Sequence, residues 1–152
     1  MVFTIFDILN FGLVVFLWWF TFKNYKILPQ RIPIHFDVEG KADNYGNKKY
    51  SFLTPVLGVV FYIGFFLLTL HPEDSNFPVK ITEDNQSIQF FIMMFFLKWL
   101  LLLVLLIFLN NQDHMFRYAF DENAKPKASF ATMIMSIIGS LIVLFIVVNQ
   151  FK

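Results

Sequence analysis

The sequence predicts an all-α membrane protein: a four-helix transmembrane bundle with a structured first loop that contains a short extended segment. Three observations carry that expectation. Of 152 residues, 57% are hydrophobic and 15% charged, against roughly half apolar and about a quarter charged in soluble domains. Mean hydropathy is +0.61. Four segments each hold about 20 predominantly apolar residues, the length that crosses roughly 30 Å of hydrocarbon. Their apolar residues neither form a single stripe nor alternate as in barrel strands, so helices that satisfy their own backbone are the architecture lipid allows. One membrane domain over 1–152 follows.

The first span, Phe3–Phe22, is rich in aromatics and places Trp18 and Trp19 near its end, where indoles favour the headgroup interface. Lys23 and Lys26 stop it. It lacks a basic leader and a small-residue cleavage site, so it is read as retained. The second, 52–70, begins with Pro55 in its first turn or so, where a missing backbone donor costs little. The third, 90–109, is the most hydrophobic. Thr82 is placed to cap its helix, with Glu83 and Asp84 where a helix N-terminus favours negative charge. The fourth, 130–148, is introduced by Pro126 and Ser129.

The polar loop 27–49 has its own pattern. Ile32, Ile34, Phe36 and Val38 alternate with Pro33, His35, Asp37 and Glu39, the period of a half-buried strand. Pro29 and Pro33 hold their predecessors extended, and Gly40 and Gly46 read as turns. These features predict a cap lying across one end of the bundle with its four apolar side chains inward. Phe77, Val79 and Ile81 repeat a similar alternation in the opposite loop.

Composition excludes several function classes. Without cysteine there is no disulfide, thiolate metal site or thiol nucleophile, and a net charge of +1 leaves no basic face for nucleic acid. His35 and His114 share a side with Asp37, Glu39, Asp43, Asp113 and Asp121, but no H-x-x-x-H or comparable spacing fixes a metal, and none is expected. No G-x-S-x-G, nucleophile–base pairing or glycine-rich phosphate cradle is present, so neither enzyme activity nor a cofactor is expected.

Two sets of residues within the spans stand out. Lys98 sits near the middle of the third, where a cation costs roughly 2.5–3.5 kcal/mol unless it finds a partner or water. Asp7 starts on the same side of the membrane, about four residues or roughly 6 Å away in depth, and the tilt of side chains toward the helix N-terminus brings the ammonium nearer. The pair is read first as a structural bridge and second as an ion or proton pathway. Ser136, Gly139 and Ser140 in the fourth span, and Thr54, Gly58 and Gly64 in the second, allow close helix approach. They are expected to pack the second helix against the fourth, or to meet a second copy or another membrane protein.

From Leu28 to Lys48 the chain reads L-P-x-x-I-P-x-H-F-x-x-x-G-x-x-D-x-x-G-x-K: Leu28, Pro29, Ile32, Pro33, His35, Phe36, Gly40, Asp43, Gly46 and Lys48. This motif resembles the domain of unknown function that opens the SdpI-type membrane proteins of bacteria, known for immunity to a secreted toxin. Phe77–Phe90, FPVKITEDNQSIQF, is similar to a subgroup of small bacterial membrane proteins. SdpI-type proteins are longer and carry additional helices. The resemblance implies an integral protein of the bacterial cytoplasmic membrane and an accessory or immunity-like role.

Lysine and arginine counts address orientation. Lys23, Lys26, Arg31, Lys41, Lys48, Lys49, Arg117, Lys125 and Lys127 fall on the side of the first and third loops, against Lys80 and Lys152 on the other. Short basic loops stay in the cytoplasm, which predicts the motif loop inside and both termini outside, whereas the resemblance implies the reverse. Beyond the lipid bilayer, the expected partner is another membrane protein or a second copy of the chain, with a small carrier built on Asp7 and Lys98 as the alternative.

Overall fold

A computed structural model describes residues 1–152. The chain forms α1 (Val2–Tyr25), a hairpin of β1 (Arg31–Phe36) and β2 (Ala42–Asn47), a 3-10 turn (Lys48–Phe52), α2 (Leu53–Leu70), a second 3-10 turn (Pro72–Asp74), α3 (Gln86–Tyr118) and α4 (Phe130–Gln150). Four helices are long and apolar enough to cross a membrane. Only 23 of 152 residues are buried, so most apolar side chains face outward, as suits helices solvated by lipid. The chain is an all-α membrane protein carrying one small antiparallel sheet.

Local chemistry marks the end of α1 and the starts of the other helices. Lys48 Nζ donates to the carbonyls of Tyr25 and Leu28 at 3.3 and 3.2 Å, satisfying acceptors left free at the end of α1. Asn47 accepts from the Lys49 amide and opens the turn that leads into α2. Thr82 and Asn85 bond each other's backbone amides through their side chains just ahead of α3. Ser129 accepts from the Thr132 amide at 3.2 Å and starts α4.

α3 is the hub. It packs on α1, α2 and α4, while α1 also packs on α2. Leu17 and Val14 of α1 meet Leu101 and Leu105 of α3 in the central core, and Phe96 of α3 meets Leu144 and Val148 of α4 in a separate one. At 33 residues α3 is about 50 Å long at 1.5 Å per residue, well beyond the roughly 30 Å of hydrocarbon. The third helix therefore continues past the expected end at 109. Its last turns, with Met115 and Phe116, form the platform on which Leu28 and Ile32 pack.

Three expectations are corrected. Gly46 is not a turn residue but lies inside β2, paired with Ile32. A Cβ there would fall 2.8 Å from Ile34 Cδ1 and 3.0 Å from Tyr50 Cδ2, so a larger residue would push both side chains aside. Val38 does not face inward: it stands at the hairpin tip, 76% exposed, where Asp37–Lys41 turn the chain back and break the strand alternation. The alternation of Phe77, Val79 and Ile81, too short to make a sheet alone, is irregular: Phe77 stacks on Phe90 and Val79 packs near Phe96 and Leu144. Gly58 does not seat α2 on α4. Its open side faces Leu17 of α1 at 3.3 Å and Leu105 of α3 at 3.7 Å, while Gly64 and Gly139 have no atom within 4 Å of a notional Cβ.

Candidate functional site

The hairpin accounts for the sequence motif almost position by position. Leu28 and Ile32, 4% and 0% exposed, anchor it to Met115 and Phe116. Pro33 is buried beside Ile32, and Pro29 opens the approach to β1 as an exposed residue. Phe36 lies on the His114 ring at 4.3 Å and meets Tyr118 edge-on at 5.3 Å. Gly40 turns the hairpin with φ +83°, and a Cβ there would come within 2.9 Å of Pro126 Cδ, so both conformation and space demand glycine. Asp37 stabilises the same turn by accepting from the Glu39 and Lys41 amides, each at 2.9 Å. Lys48 caps α1 and lies 4.8 Å over the Tyr25 ring.

His114 latches this cap to α3. It is 3% exposed, and its Nε2 lies 2.9 Å from the Gly40 carbonyl. A carbonyl can only accept, so Nε2 carries the hydrogen; Nδ1 is buried without a partner. Beneath the cap, Gln112 Nε2 donates to Thr21 Oγ1 and to the Ser51 carbonyl, both at 2.9 Å, tying α1, α3 and the entry to α2 together.

Two motif residues serve no such packing. His35 Nδ1 lies 2.5 Å from Asp43 Oδ1 across the hairpin, with both side chains at least half exposed. The pair stands on the outward face. Nearby, Tyr45 has its hydroxyl pKa raised above the ordinary 10.0, first by partial burial and then by the Glu122 carboxylate and Tyr118. On the opposite side of the membrane His71 lies 3.2 Å from Glu73, whose carboxyl is held below its usual 4.5 by its own backbone N–H and then by His71.

Within the membrane, Lys98 Nζ donates to Asp7 Oδ1. The lysine side chain is 12% exposed and the aspartate 48%, so the carboxylate sits at the edge and draws the buried ammonium toward it. Asn10 donates to the Lys98 carbonyl at 3.1 Å, leaving its own Oδ1 buried and unpartnered. The space these residues share with Tyr62 and Thr69 is about 10 Å³, room for roughly one water.

The small residues of α4 lie elsewhere. Ser136, Gly139 and Ser140 line an open groove against α3, where Trp99 Nε1 donates to Ser140 Oγ at 2.9 Å. His35, His114 and the acidic residues near them do not converge as three possible ligands around one point. The residues that sequence reasoning passed over are the amides Asn10, Gln89, Asn110 and Gln112. A lone amide in an apolar run is itself a signal, because lipid gives it no hydrogen-bond partner and it must find one on a neighbouring helix.

One comparison with known proteins falls on this region. Residues 12–59 match the family described as a domain of unknown function, DUF1648. The match takes in the second half of α1, the whole hairpin and the start of α2. An uncharacterized protein of Archaeoglobus fulgidus is 25% identical over 93 aligned positions, covering 52% of this chain and 51% of the relative. The chain thus spans about half the length of that curated relative. No solved structure matches.

Proposed function

We propose that this is an accessory, non-enzymatic membrane protein that binds a protein partner through the outward face of its hairpin cap, in the manner of the SdpI-type immunity proteins its motif resembles. One observation carries the reading: most of the motif is spent on folding and docking the hairpin, whereas His35 and Asp43 are left paired and exposed on its outer surface. Exposed polar residues on an ordered loop are the usual place for recognition. A carrier built on Asp7 and Lys98 is less well supported, since the space beside that pair admits no solute larger than water.

The lysine and arginine distribution favours the cytoplasmic side for the cap, against the side the resemblance implies, and the bacterial cytoplasmic membrane rests on that resemblance alone. Cysteine placed at Asn47 of this cysteine-free chain, exposed to a membrane-impermeant maleimide in intact cells, tests the side: no labelling is expected, and labelling would put the cap outside. The binding role is tested by affinity capture in mild detergent with mass spectrometry. A His35→Ala, Asp43→Ala variant should keep its abundance and lose its partner; retention of the same partner would refute this use of the cap.

A further inference from the structure

The hairpin is fixed to α3 at two places of different chemistry. At its root, Leu28 and Ile32 pack on Met115 and Phe116, a contact indifferent to pH. At its turn, the hydrogen bond that reaches α3 runs from His114 Nε2 to the Gly40 carbonyl at 2.9 Å, and its donor is a titratable ring. That ring is 3% exposed. Phe36 covers it at 4.3 Å and Tyr118 stands beside it at 5.6 Å. Gly40 comes so close that a Cβ there would lie 3.5 Å from Nε2.

The closed cap accommodates one protonation state of this ring. Neutral His114, with its hydrogen on Nε2, makes the bond to Gly40. A second proton would place a charged N–H at Nδ1, which is buried without a partner, and neither aromatic neighbour supplies an acceptor there. The carboxylates of this end are engaged elsewhere. On α3, Asp113 holds Arg117 and Lys127. In the hairpin, Asp37 accepts from the turn amides, Glu39 pairs with Lys41 and Asp43 with His35. In the segment after α3, Asp121 accepts from the Asn123 amide and Glu122 acts on Tyr45, while Lys125 and Lys127 flank the Pro126 ring that lies against Gly40. None of these ion pairs reaches His114. Charge would strengthen the Nε2 bond to Gly40, but by less than the unpartnered, unhydrated N–H at Nδ1 would cost.

We propose that the cap is a pH-sensitive latch, closed on neutral His114 and lifted from the end of α3 when that ring takes up a proton. Lifting opens Nδ1 to water, so opening is coupled to proton uptake. The closed fraction therefore falls as pH drops through the range where exposed imidazoles titrate, by up to about tenfold per pH unit. His35, the other histidine of the cap, acts in the opposite sense, because protonation strengthens its contact with Asp43 across the hairpin. The latch is a property of the fold and does not depend on a protein partner.

Amide hydrogen exchange of the full chain in nanodiscs, corrected for the intrinsic effect of pH on exchange, reads the latch directly. From about pH 7.5 to about pH 5, protection over residues 36–42 should fall on the order of tenfold or more, while the middle of α3 is unchanged. His114→Gln keeps an N–H for the Gly40 carbonyl and does not titrate in this range, so its protection should be the same at both values. His35→Gln should keep the acid loss of the parent. Equal protection of the parent at both values would overturn the proposal. So would an acid loss that survives in His114→Gln, or one abolished by His35→Gln, which would assign it to the exposed pair. A second measurement on the unaltered protein stands apart from how well glutamine fits. In nitrogen-15 histidine NMR at the lower pH, a doubly protonated His114 should occur only in the open cap. A doubly protonated His114 beneath a hairpin that is still protected would overturn the latch.

Discussion

α1 and α4 both pack on α3, but in different ways. The α1–α3 seam is filled along its length: Phe3 on Phe91, Phe6 on Phe95, the Asp7–Lys98 pair, the Leu17–Leu105 core, Thr21 with Gln112 and Phe20 on Phe116 follow one another from end to end. The α3–α4 seam is pinned at Gln89 and Asn110, with a smaller apolar cluster and an open groove between. Helices this apolar carry no stripe that says which face should turn inward. Where they meet in lipid is decided by shape and by a few polar side chains that need partners.

The largest expected difference comes from the charged pair. Asp7→Asn leaves the nearly buried Lys98 ammonium without its carboxylate and should cost about 2–3 kcal/mol of stability, measured by unfolding in mixed micelles. The Asp7→Asn, Lys98→Met double variant should be more stable than either single variant. A double variant worse than both would mean that the pair makes a net contribution an apolar replacement cannot match. Next in size is a contrast between two glycines. Gly58→Leu forces a side chain against Leu17 and Leu105 in the filled seam and should cost about 1–3 kcal/mol. Gly139→Leu projects into the open groove and should stay within about 0.5 kcal/mol of the parent. Equal costs would erase the distinction between the seams.

Smaller effects test the amide clamps. Gln112→Leu and Gln89→Leu should each cost about 1 kcal/mol, in line with hydrogen bonds measured in membranes. They should differ in what loosens: hydrogen exchange should rise at the cap for the first and at the C-terminal end of α4 for the second. The smallest effect is a pH response of the cap. Because the Tyr45 pKa is raised in the fold, its contribution is intact below the ordinary value of 10.0 and lost as pH rises through the higher folded value. Cap exchange should quicken in strongly alkaline buffer, and Tyr45→Phe should remove the added increment.

Much of this arrangement was legible in the sequence, and the rest was hidden for physical reasons. The four spans are visible because lipid demands length and apolarity, both of which can be counted. Depth counting along two helices that start on one side of the membrane brings Asp7 near Lys98. β2 was missed because Ala42–Asn47, ADNYGN, has almost no strand character; it is held by pairing with β1 and by the fit of Gly46 under Ile34. The extension of α3 to Tyr118 was missed because Asn110, Gln112 and Asp113 look like the end of a span, whereas the helix runs through them to Met115 and Phe116, on which the cap packs. The neighbour of α4 was not legible either, since small residues permit close approach without naming the partner. For the candidate site, the motif marked the right loop, and only the fold separates His35 and Asp43 on the outer face from the positions committed to docking.

The most direct test of the capped bundle is amide hydrogen exchange of the unaltered protein in nanodiscs, read over β1, β2 and the last turns of α3. A hairpin latched by His114 and packed on Met115 and Phe116 predicts that the paired amides of 31–36 and 42–47 exchange on the order of a hundredfold slower than an unstructured peptide. Exchange at the unstructured rate through both strands, with α3 still protected, would contradict it.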